Sequence, residues 1–484
     1  MIPTSRDETD PPGEAVGRTN ALAGRRVLLV NWRDSSHPRA GGAEVYCEEI
    51  GTRFAEAGAQ VALFTARPPG TPATEHRRGI TIVREGGDLG VYARAARFLR
   101  RTAGAYDVVV DFQNGIPFFA PLFAGRGTAV VCVIHHVHQE QFALHYPWPA
   151  SRIGQVLEGP ASRYVYGRRP LVVVSPSTRR DVRRRLGLRG PIHVVPNGMS
   201  APLPGGTRAR SPRPSIAVVS RLVSHKRFDL LLDVVPELVQ RWPGLRVDIA
   251  GDGPERPRLE ARSRALGLGD HVRFHGFVDT RTRQDLMASA WLTVNPSQAE
   301  GWGLTVVEAN AAGVPAVAHD VPGLRDSVLD GRTGWLIREG STLAEVTADA
   351  LHRLEDPEFA GSVSQQCRAW AAQFSWDLSA ERLANVLAGE IDRVRRGAAP
   401  ERRLASDLSV RVEAALGAAG RAASGSSGPR LRRSDQLASG AGSLQLLLHG
   451  CDEAGAGSVL RRLGAGELRS STPATGTDLL IGAR

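Results

Sequence analysis

The chain has 484 residues, 42% of them apolar, and a formal net charge of +11 at pH 7. This length and apolar content favour a globular protein of about two to four domains, and the positive charge favours an anionic partner. The polar first 23 residues predict no secretory signal, and no apolar run reaches the roughly 18 residues of a transmembrane helix. The four cysteines are too widely spaced for a disulfide framework or a zinc site, so a reducing cytoplasm is expected.

Short, continuous apolar runs alternate with helical patterns along most of the chain. Such runs are typical of parallel strands that helices cover on both faces. In the first half the predicted strands are Val27–Val30, Val61–Phe64, Ile80–Val83, Val108–Val110, Val130–Ile134, Leu171–Val174 and Ile192–Val195. In the second half they are Ile216–Val219, Val247–Ala250, Val272–Phe274, Leu292–Val294, Val314–Ala318 and Trp335–Ile337.

The two series predict two doubly wound α/β domains, with Rossmann-like parallel sheets that face each other across a cleft. Residues 24–200 form the first predicted domain and residues 215–375 the second. The segment 201–214 is rich in proline, glycine and arginine and has no periodicity, which indicates a linker. Clefts between such domains are favoured ligand sites.

The two ends of the chain differ in composition from these domains. Residues 1–23 are predicted to be disordered, and residues 376–397 to form a helix that returns toward the first domain. Residues 398–484 are rich in Ala, Gly, Ser and Arg and form an extension of unknown role. Within it, the apolar patches Leu444–Leu448 and Val459–Leu463 suggest a pair of helices.

Three polar segments follow predicted strands of the first domain. Gly41 and Gly42 open a helix, and without Cβ atoms they let backbone amides approach a diphosphate, although a plain turn explains the pair equally well. Gln113 and Asn114 are positioned to contact acceptor hydroxyls. His135–His138 ends a strand at the cleft; its His-His-x-His spacing makes a zinc site improbable, and a histidine satisfied in the core is the plain alternative.

Lys226 is the single lysine among 61 Lys and Arg residues. It stands five residues after Arg221, and Arg221 lies two residues after the end of the predicted strand Ile216–Val219. Two cations at the carboxyl end of a strand in an open α/β sheet are placed where anionic ligands bind. The pair therefore predicts a phosphate clamp, with an ordinary solvated lysine as the alternative for Lys226.

Glu300 and Glu308 are separated by seven residues that include the break Gly301-Trp302-Gly303. The break places Glu300 in a loop, free to face a sugar, and Glu308 one turn into a helix. The free backbone amides of Leu304 and Thr305 at the start of this helix are suited to a phosphate. Glu308 is suited to accept hydrogen bonds from the hydroxyls of a ribose.

These residues resemble the Glu-x7-Glu motif of the retaining nucleotide-sugar glycosyltransferases of family 4, which have the GT-B fold. The resemblance covers about residues 24–396. Arg221 and Lys226 stand where the family has its diphosphate-binding Arg and Lys. Further matching motifs follow in the expected order: Gly251–Pro254, His275–Phe277, Pro315 and Pro322-Gly323.

The resemblance implies a role for each matched residue. Glu308 holds the donor ribose, Glu300 lies at the transferred sugar, and Phe277 and Val278 lie near the base. The catalytic pair is His135 and Glu300, with His136 as the second choice for the histidine. The remaining donor-binding residues are Gly41, Gly42, Arg221, Lys226, Gly303, Leu304 and Thr305.

The implied reaction moves a hexose-type sugar from a nucleoside diphosphate sugar to an acceptor hydroxyl with retention of configuration. The acceptor is a glycan, glycolipid or secondary metabolite. No metal and no cofactor are expected, because no DxD-like pair ends a strand and the cations Arg221 and Lys226 can stabilise the leaving diphosphate. The alternatives are a nucleotide-sugar epimerase or phosphorylase of the same fold and a non-enzymatic basic binding protein.

The arginine-rich segment 179–189 has two possible interpretations. One is a solvated basic face, the ordinary outcome in an arginine-rich chain. The other is a peripheral contact with an anionic membrane or a lipid-phosphate acceptor at the inner membrane face. Nucleic acid is not an expected partner, since only 6% of the residues are aromatic and none is interleaved with this segment.

Overall fold

The computed structural model describes residues 21–199 and 209–398, together with parts of the C-terminal extension. Those parts are 409–415, 436–440, 443–448, 456–457, 459–460, 463 and 468–474. The first 20 residues and most of the predicted linker lie outside the described residues. None of the helices described here combines the length and the apolar character that crossing a bilayer requires.

The first domain is built on an eight-stranded sheet. Its strands are β1 (Arg26–Val30), β2 (Gln60–Thr65), β3 (Thr74–Arg77), β4 (Ile80–Arg84), β5 (Val108–Gln113), β6 (Ala129–Ile134), β7 (Leu171–Val173) and β8 (Ile192–Val194). They are ordered β3-β4-β2-β1-β5-β6-β7-β8, and all pairs are parallel except β3–β4. Every strand predicted for this domain overlaps one of them. Strand β3 was not predicted, because its sequence Thr-Glu-His-Arg contains no apolar residue.

Helices cover both faces of this sheet. They are α1 (Gly42–Glu56), α2 (Gly90–Arg101), α3 (Gln139–His145), α4 (Ala150–Val156), α5 (Ser162–Tyr166) and α6 (Pro176–Asp181). Because side chains alternate along a strand, Val27 and Leu29 pack in the same core as Ile50 of α1, whereas Leu28 and Val30 pack with α2 on the opposite face. This two-sided burial explains the continuous apolar runs.

The second domain contains six parallel strands. They are β9 (Ser215–Val219), β10 (Arg246–Ala250), β11 (Val272–Gly276), β12 (Thr293–Asn295), β13 (Ala316–His319) and β14 (Gly334–Ile337). Two three-stranded groups, β11-β10-β9 and β12-β13-β14, are joined where Ala217 N donates to Leu292 O at 3.1 Å. The strand order therefore reverses between β9 and β12. In sheets of this kind ligands bind outside the carboxyl ends of the strands at such a switch point.

The helices of the second domain complete its layers. They are α7 (Phe228–Arg241), α8 (Arg256–Ala265), α9 (Thr280–Ser289), α10 (Leu304–Ala311), α11 (Leu324–Ser327), α12 (Leu343–Arg353), α13 (Pro357–Ala371) and α14 (Trp376–Arg395). The last of these, α14, packs on the first domain. Its Trp376 is buried edge-to-face against Tyr46 of α1, with ring centroids 5.9 Å apart. At its far end, Arg395 Nη2 donates to Asp107 at 3.0 Å.

The C-terminal extension forms a small antiparallel sheet. Its strands are β15 (Ser409–Ala415), β16 (Gln436–Gly440), β17 (Ser443–Leu448) and β18 (Leu468–Ala474), in the order β16-β17-β15-β18. The helix predicted at Leu444–Leu448 is therefore wrong, because β17 pairs with a strand on each side and a short leucine-rich run fits either period. Val459 and Leu460 are helical, and Leu460 packs into the core of this sheet.

Candidate functional site

Two loops flank the switch point, and an ion pair joins them. The loop after β9 ends in a short 3-10 turn, Ser224–Lys226, and the loop after β12 carries Glu300. Lys226 Nζ donates to Glu300 Oε1, and the hydroxyl of Ser297 donates to the same oxygen at 3.0 Å. A backbone hydrogen bond of 2.9 Å from Gln298 N to His225 O also ties the loops together. The sequence analysis placed Lys226 and Glu300 in one site but did not predict that they pair.

The ion pair sets the charge of Glu300. Burial by itself disfavours the charged carboxylate, but the charge and hydrogen bond of Lys226 and the hydroxyl of Ser297 outweigh it and hold the pKa of Glu300 below its ordinary value. Glu300 is therefore ionised at neutral pH. Both hydrogen bonds fall on the same carboxylate oxygen, Oε1.

Glu308 has a different partner. It lies in α10, where Arg283 Nη1 from α9 donates to its Oε1 at 3.3 Å. Burial raises the pKa of Glu308, and the charge of Arg283 opposes that effect. Arg283 was not predicted from the sequence, since it stands 25 residues earlier on another helix. The two glutamates thus hold separate cations instead of sharing one.

Helix α10 begins directly after Gly303, which adopts the left-handed backbone conformation with φ of 78°. The backbone amides of Val306 and Val307 are the first in the helix to donate a hydrogen bond to a preceding carbonyl, and both donate to Gly303 O. The amides of Leu304 and Thr305 precede them and have no acceptor within the helix. This end of α10 is thus able to receive an anion, as predicted from the sequence.

Arg221 reaches across to the first domain. Its Nη1 donates to the backbone carbonyl of Arg39 at 3.3 Å, and its Nη2 lies 3.1 Å from where a Cβ of Gly41 would stand. Gly41 N in turn donates to Glu44 Oε2 at 2.7 Å, while Arg33 Nε donates to Glu44 Oε1 at 3.0 Å. The buried Glu44 therefore fixes the loop before α1. Glu44 follows the two glycines by two residues and was not among the residues predicted for the site.

His135 lies at the carboxyl end of β6 and is 8% exposed. Its ring packs edge-to-face on Tyr46 with centroids 4.9 Å apart, and its Nε2 is buried without a hydrogen-bond partner among the described residues. Burial, with a smaller electrostatic effect of the neighbouring His138, lowers the pKa of His135 to about 3, so the His135 ring is neutral at physiological pH. The alternative prediction was a core histidine whose ring nitrogens are all hydrogen-bonded within the protein. The unpaired Nε2 does not fit that alternative.

The two domains meet at this histidine. A Cβ on Gly301 would lie 2.4 Å from His135 O, so only glycine allows the loop before α10 to come this close. Thr178 Oγ1 donates to His135 O at 3.4 Å and lies 3.5 Å from Gly301 O. Backbone of the second domain therefore adjoins the end of β6.

The predicted acceptor residues lie on the first domain. Gln113 is buried and its Nε2 donates to Gly115 O at 3.2 Å, so the side chain closes its own turn. Asn114 Nδ2 donates to Asn31 Oδ1 at 2.7 Å. His136 Nε2 lies 3.2 Å from Gln141 Nε2, and burial lowers the pKa of His136 to about 3.

Phe277 and Val278, predicted near a base, follow β11. The Phe277 ring is 89% exposed, which leaves an aromatic surface open to a ligand. Within the residues that the structure describes, no group of three or more His, Cys, Asp and Glu side chains is arranged to hold a metal ion. This holds for His135–His138 as well.

Comparisons with known proteins identify the family of the chain. The sequence model of glycosyltransferase family 4 matches residues 40–201, and that of glycosyl transferases group 1 matches residues 205–396. A GDP-mannose-dependent alpha-(1-6)-phosphatidylinositol monomannoside mannosyltransferase of Mycolicibacterium smegmatis is 27% identical over 73% of this chain and 96% of its own. A D-inositol 3-phosphate glycosyltransferase of Streptomyces avermitilis is 28% identical over 74% of this chain and 85% of its own.

Solved structures give the same fold. Sucrose-phosphate synthase from Thermosynechococcus elongatus superposes with a TM-score of 0.61 at 21% identity, covering 77% of this chain and 98% of that one. The resemblance to family 4 and the predicted pair of Rossmann-like domains are thereby confirmed. The chain belongs to glycosyltransferase family 4, has the GT-B fold, and is a glycosyltransferase that uses a nucleotide sugar.

Proposed function

We propose that the protein transfers a hexose-type sugar from a UDP or GDP sugar to an acceptor hydroxyl, with retention of configuration and without a metal ion. The observation that carries this proposal is the ion pair of Lys226 with Glu300 at the switch point of the second sheet. In the proposed complex, this compact cation and ionised carboxylate lie beside the bond that joins the donor's diphosphate to its sugar. Lys226 then contacts the diphosphate on one side of the bond that breaks, and Glu300 faces the sugar on the other side.

The diphosphate is held by positive groups from both domains. Arg221 lies over Gly41, so one guanidinium can contact a phosphate beside the glycine loop. Lys226 and the amides of Leu304 and Thr305 approach from the second domain. Such fixed donors stabilise the negative charge that develops on the leaving diphosphate. Because these groups already supply the positive charge, the proposed reaction requires no divalent cation.

The nucleoside is held by the second domain. Glu308, kept in place by Arg283, accepts the two ribose hydroxyls, because a carboxylate offers two oxygens at the right spacing. The exposed ring of Phe277 and the neighbouring Val278 give the base an apolar surface to stack on.

His135 and Glu300 are assigned to the transferred sugar. The buried Nε2 of the neutral His135 ring is available to hydrogen-bond a sugar hydroxyl near the reacting carbon. Glu300 keeps one carboxylate oxygen for the opposite side of the sugar. Since Glu300 and Glu308 hold different cations, they do not form the acid and nucleophile pair of a retaining hydrolase. Retention is therefore proposed to follow front-face attack assisted by the leaving phosphate.

The acceptor binds against the first domain in this proposal. His136 and Asn114 are partly exposed at the strand ends and can donate to or accept from a hydroxyl, while the buried Gln113 shapes the turn that carries Asn114. Two relatives are named for acceptors that contain inositol. Polyol hydroxyls are therefore the first acceptors to test.

The overall reaction is tested by incubating the protein with UDP and GDP hexoses and with polyol acceptors. We expect one donor to be consumed and the product's anomeric centre, read by NMR, to match the donor's configuration. The rate should be the same with EDTA as without it. An inverted product would overturn the retaining mechanism, and loss of activity in EDTA would overturn metal independence.

Lys226→Ala should weaken nucleoside diphosphate binding about ten- to hundredfold, because a charge-assisted hydrogen bond contributes ~1.5–3 kcal/mol. Isothermal titration calorimetry measures this effect. The double variant Lys226→Ala/Glu300→Gln separates two explanations, since it also removes the buried carboxylate that the single variant leaves unpaired. If the double variant regains the parent's affinity, the lysine serves only to neutralise Glu300 and the phosphate role is wrong.

Glu308→Gln and Glu300→Gln should fail in different assays. Glu308→Gln should weaken nucleoside diphosphate binding about tenfold or more while Glu300→Gln changes it less than about threefold, since only Glu308 is assigned to the ribose. Glu300→Gln should instead lower kcat, with KM for the donor little changed. Equal diphosphate affinity in the Glu308 variant and the parent would contradict the ribose contact.

His135→Ala should lower kcat on the order of 100-fold, the usual cost of losing one preorganised hydrogen bond in a transition state. Because the pKa of His135 is lowered to about 3, the ring stays neutral between pH 5.5 and 8.5, and the ratio of parent to variant rates should be constant there. The exposed His352 offers a matched control, and His352→Ala should leave kcat unchanged. A ratio that titrates with a midpoint near 6.5, the ordinary histidine pKa, would refute the neutral role.

A further inference from the structure

The first domain has a second concave site, at the opposite ends of its strands from the donor cleft. It is a cavity of about 1630 Å³, which we call the arginine cavity. Thr128, Arg169 and Arg189 line it, and they stand one, two and three residues before the first residue of β6, β7 and β8, respectively. The cavity therefore opens at the amino ends of these strands, whereas His135 and the glycine loop lie at the carboxyl ends. Neither Arg221 nor Lys226 lines it.

The composition of the lining is far from that of the chain. Of the 24 lining residues, eight are arginine and none is aspartate or glutamate. At the overall frequency of arginine, 60 in 484 residues, a set of 24 would hold about three, and at that of Asp and Glu, 50 in 484, about two or three. The arginines are Arg126, Arg163, Arg168, Arg169, Arg184, Arg185, Arg189 and Arg393. An arginine-rich chain alone does not account for this concentration.

Carboxylates from outside the cavity neutralise part of this charge. Glu140 accepts from Arg185 at 2.9 Å, and Glu390 accepts from Arg393 at 2.7 Å. Burial lowers the pKa of Arg169, and the charge of Arg393 adds to that effect while Glu390 opposes it. The positive charges of Arg169 and Arg393, which both line the cavity, therefore repel each other. Their mutual repulsion favours an anion between them.

The mouth of the cavity also carries apolar surface. Tyr164 is 90% exposed and Leu122 is 60% exposed, and both line the cavity. Ile153 and Val156 are further exposed apolar side chains on the neighbouring helix α4. At a lipid surface, the phosphate groups can contact the arginines while the apolar part of the lipid contacts these exposed side chains. A free phosphate compound has no apolar part and cannot make the second contact.

We propose that the arginine cavity is a binding site for a ligand that carries clustered phosphate groups, separate from the donor site. Guanidinium groups suit this ligand because each offers several donors in a planar fork that matches two phosphate oxygens. Several arginines around one space require more than one phosphate to neutralise them. Clustered phosphates occur at the surface of an anionic bilayer and in a free polyphosphate, and the exposed Tyr164 and Leu122 distinguish the two sources.

The test uses the full chain and two probes, tripolyphosphate and vesicles of phosphatidylglycerol with phosphatidylcholine. One variant replaces four exposed cavity arginines by glutamine: Arg163→Gln, Arg168→Gln, Arg184→Gln and Arg189→Gln. A control of equal charge replaces four exposed arginines elsewhere: Arg94→Gln, Arg97→Gln, Arg264→Gln and Arg273→Gln. Thermal melts verify that both variants are folded. Binding is measured by calorimetry for tripolyphosphate and by co-flotation for vesicles.

The parent should bind at least one of the two probes. The cavity variant should bind that probe at least about tenfold more weakly. The affinity of the control variant should change less than about threefold, because exposed charges outside the site are screened. Lys226→Ala should bind the probe like the parent, which separates this site from the donor site. Equal losses in the two arginine variants, or no binding of either probe, would overturn the proposal.

The double variant Leu122→Ser/Tyr164→Ser identifies the source of the phosphate groups. If this variant binds vesicles more weakly but tripolyphosphate as the parent does, the ligand is a lipid surface. If the parent binds tripolyphosphate but not vesicles, the ligand is a free phosphate compound.

Discussion

The ion pair of Lys226 with Glu300 is the interaction around which the proposed donor site is organised. Each residue leaves the sheet on one side of its switch point, so the pair closes the crevice between β9 and β12. Both charges are largely removed from water, which costs free energy unless further hydrogen bonds compensate. Ser297 supplies one of these to Glu300 and is itself bonded to Asn295 at 2.6 Å. The site is thus preorganised before a donor arrives.

Close backbone approach connects this pair to the first domain. Gly301 packs against the carbonyl of His135, and Arg221 bonds to the loop that Glu44 holds in place. His135 and the loop before α1 are therefore positioned by the second domain as well as by their own. A change in the angle between the domains would move both together. In this way a binding site assembled from two rigid sheets can respond to its ligand as a unit.

The positive charge of the chain is divided between two functions in this interpretation. The donor site uses few cations, including the single lysine, each paired with or beside a named partner. The arginine cavity instead gathers eight guanidinium groups without an acidic residue in its lining. A lysine offers a compact point charge, whereas arginine offers a rigid fork of donors. The choice of cation at Lys226 therefore reflects local chemistry in a chain that elsewhere uses only arginine.

The sequence by itself determined where the parallel strands of the two α/β domains lie and which motifs follow them, because burial on both faces leaves continuous apolar runs and glycine breaks mark the loops between strand and helix. It thereby predicted the two Rossmann-like domains and put Arg221, Lys226, Glu300 and Glu308 near one ligand. Only the tertiary structure decided which charges pair: Lys226 with Glu300 and Arg283 with Glu308, residues that are 74 and 25 positions apart. It also decided that Leu444–Leu448 is a strand and that distant arginines line one cavity. Local propensity cannot specify such contacts, since they depend on which elements the folded chain brings side by side.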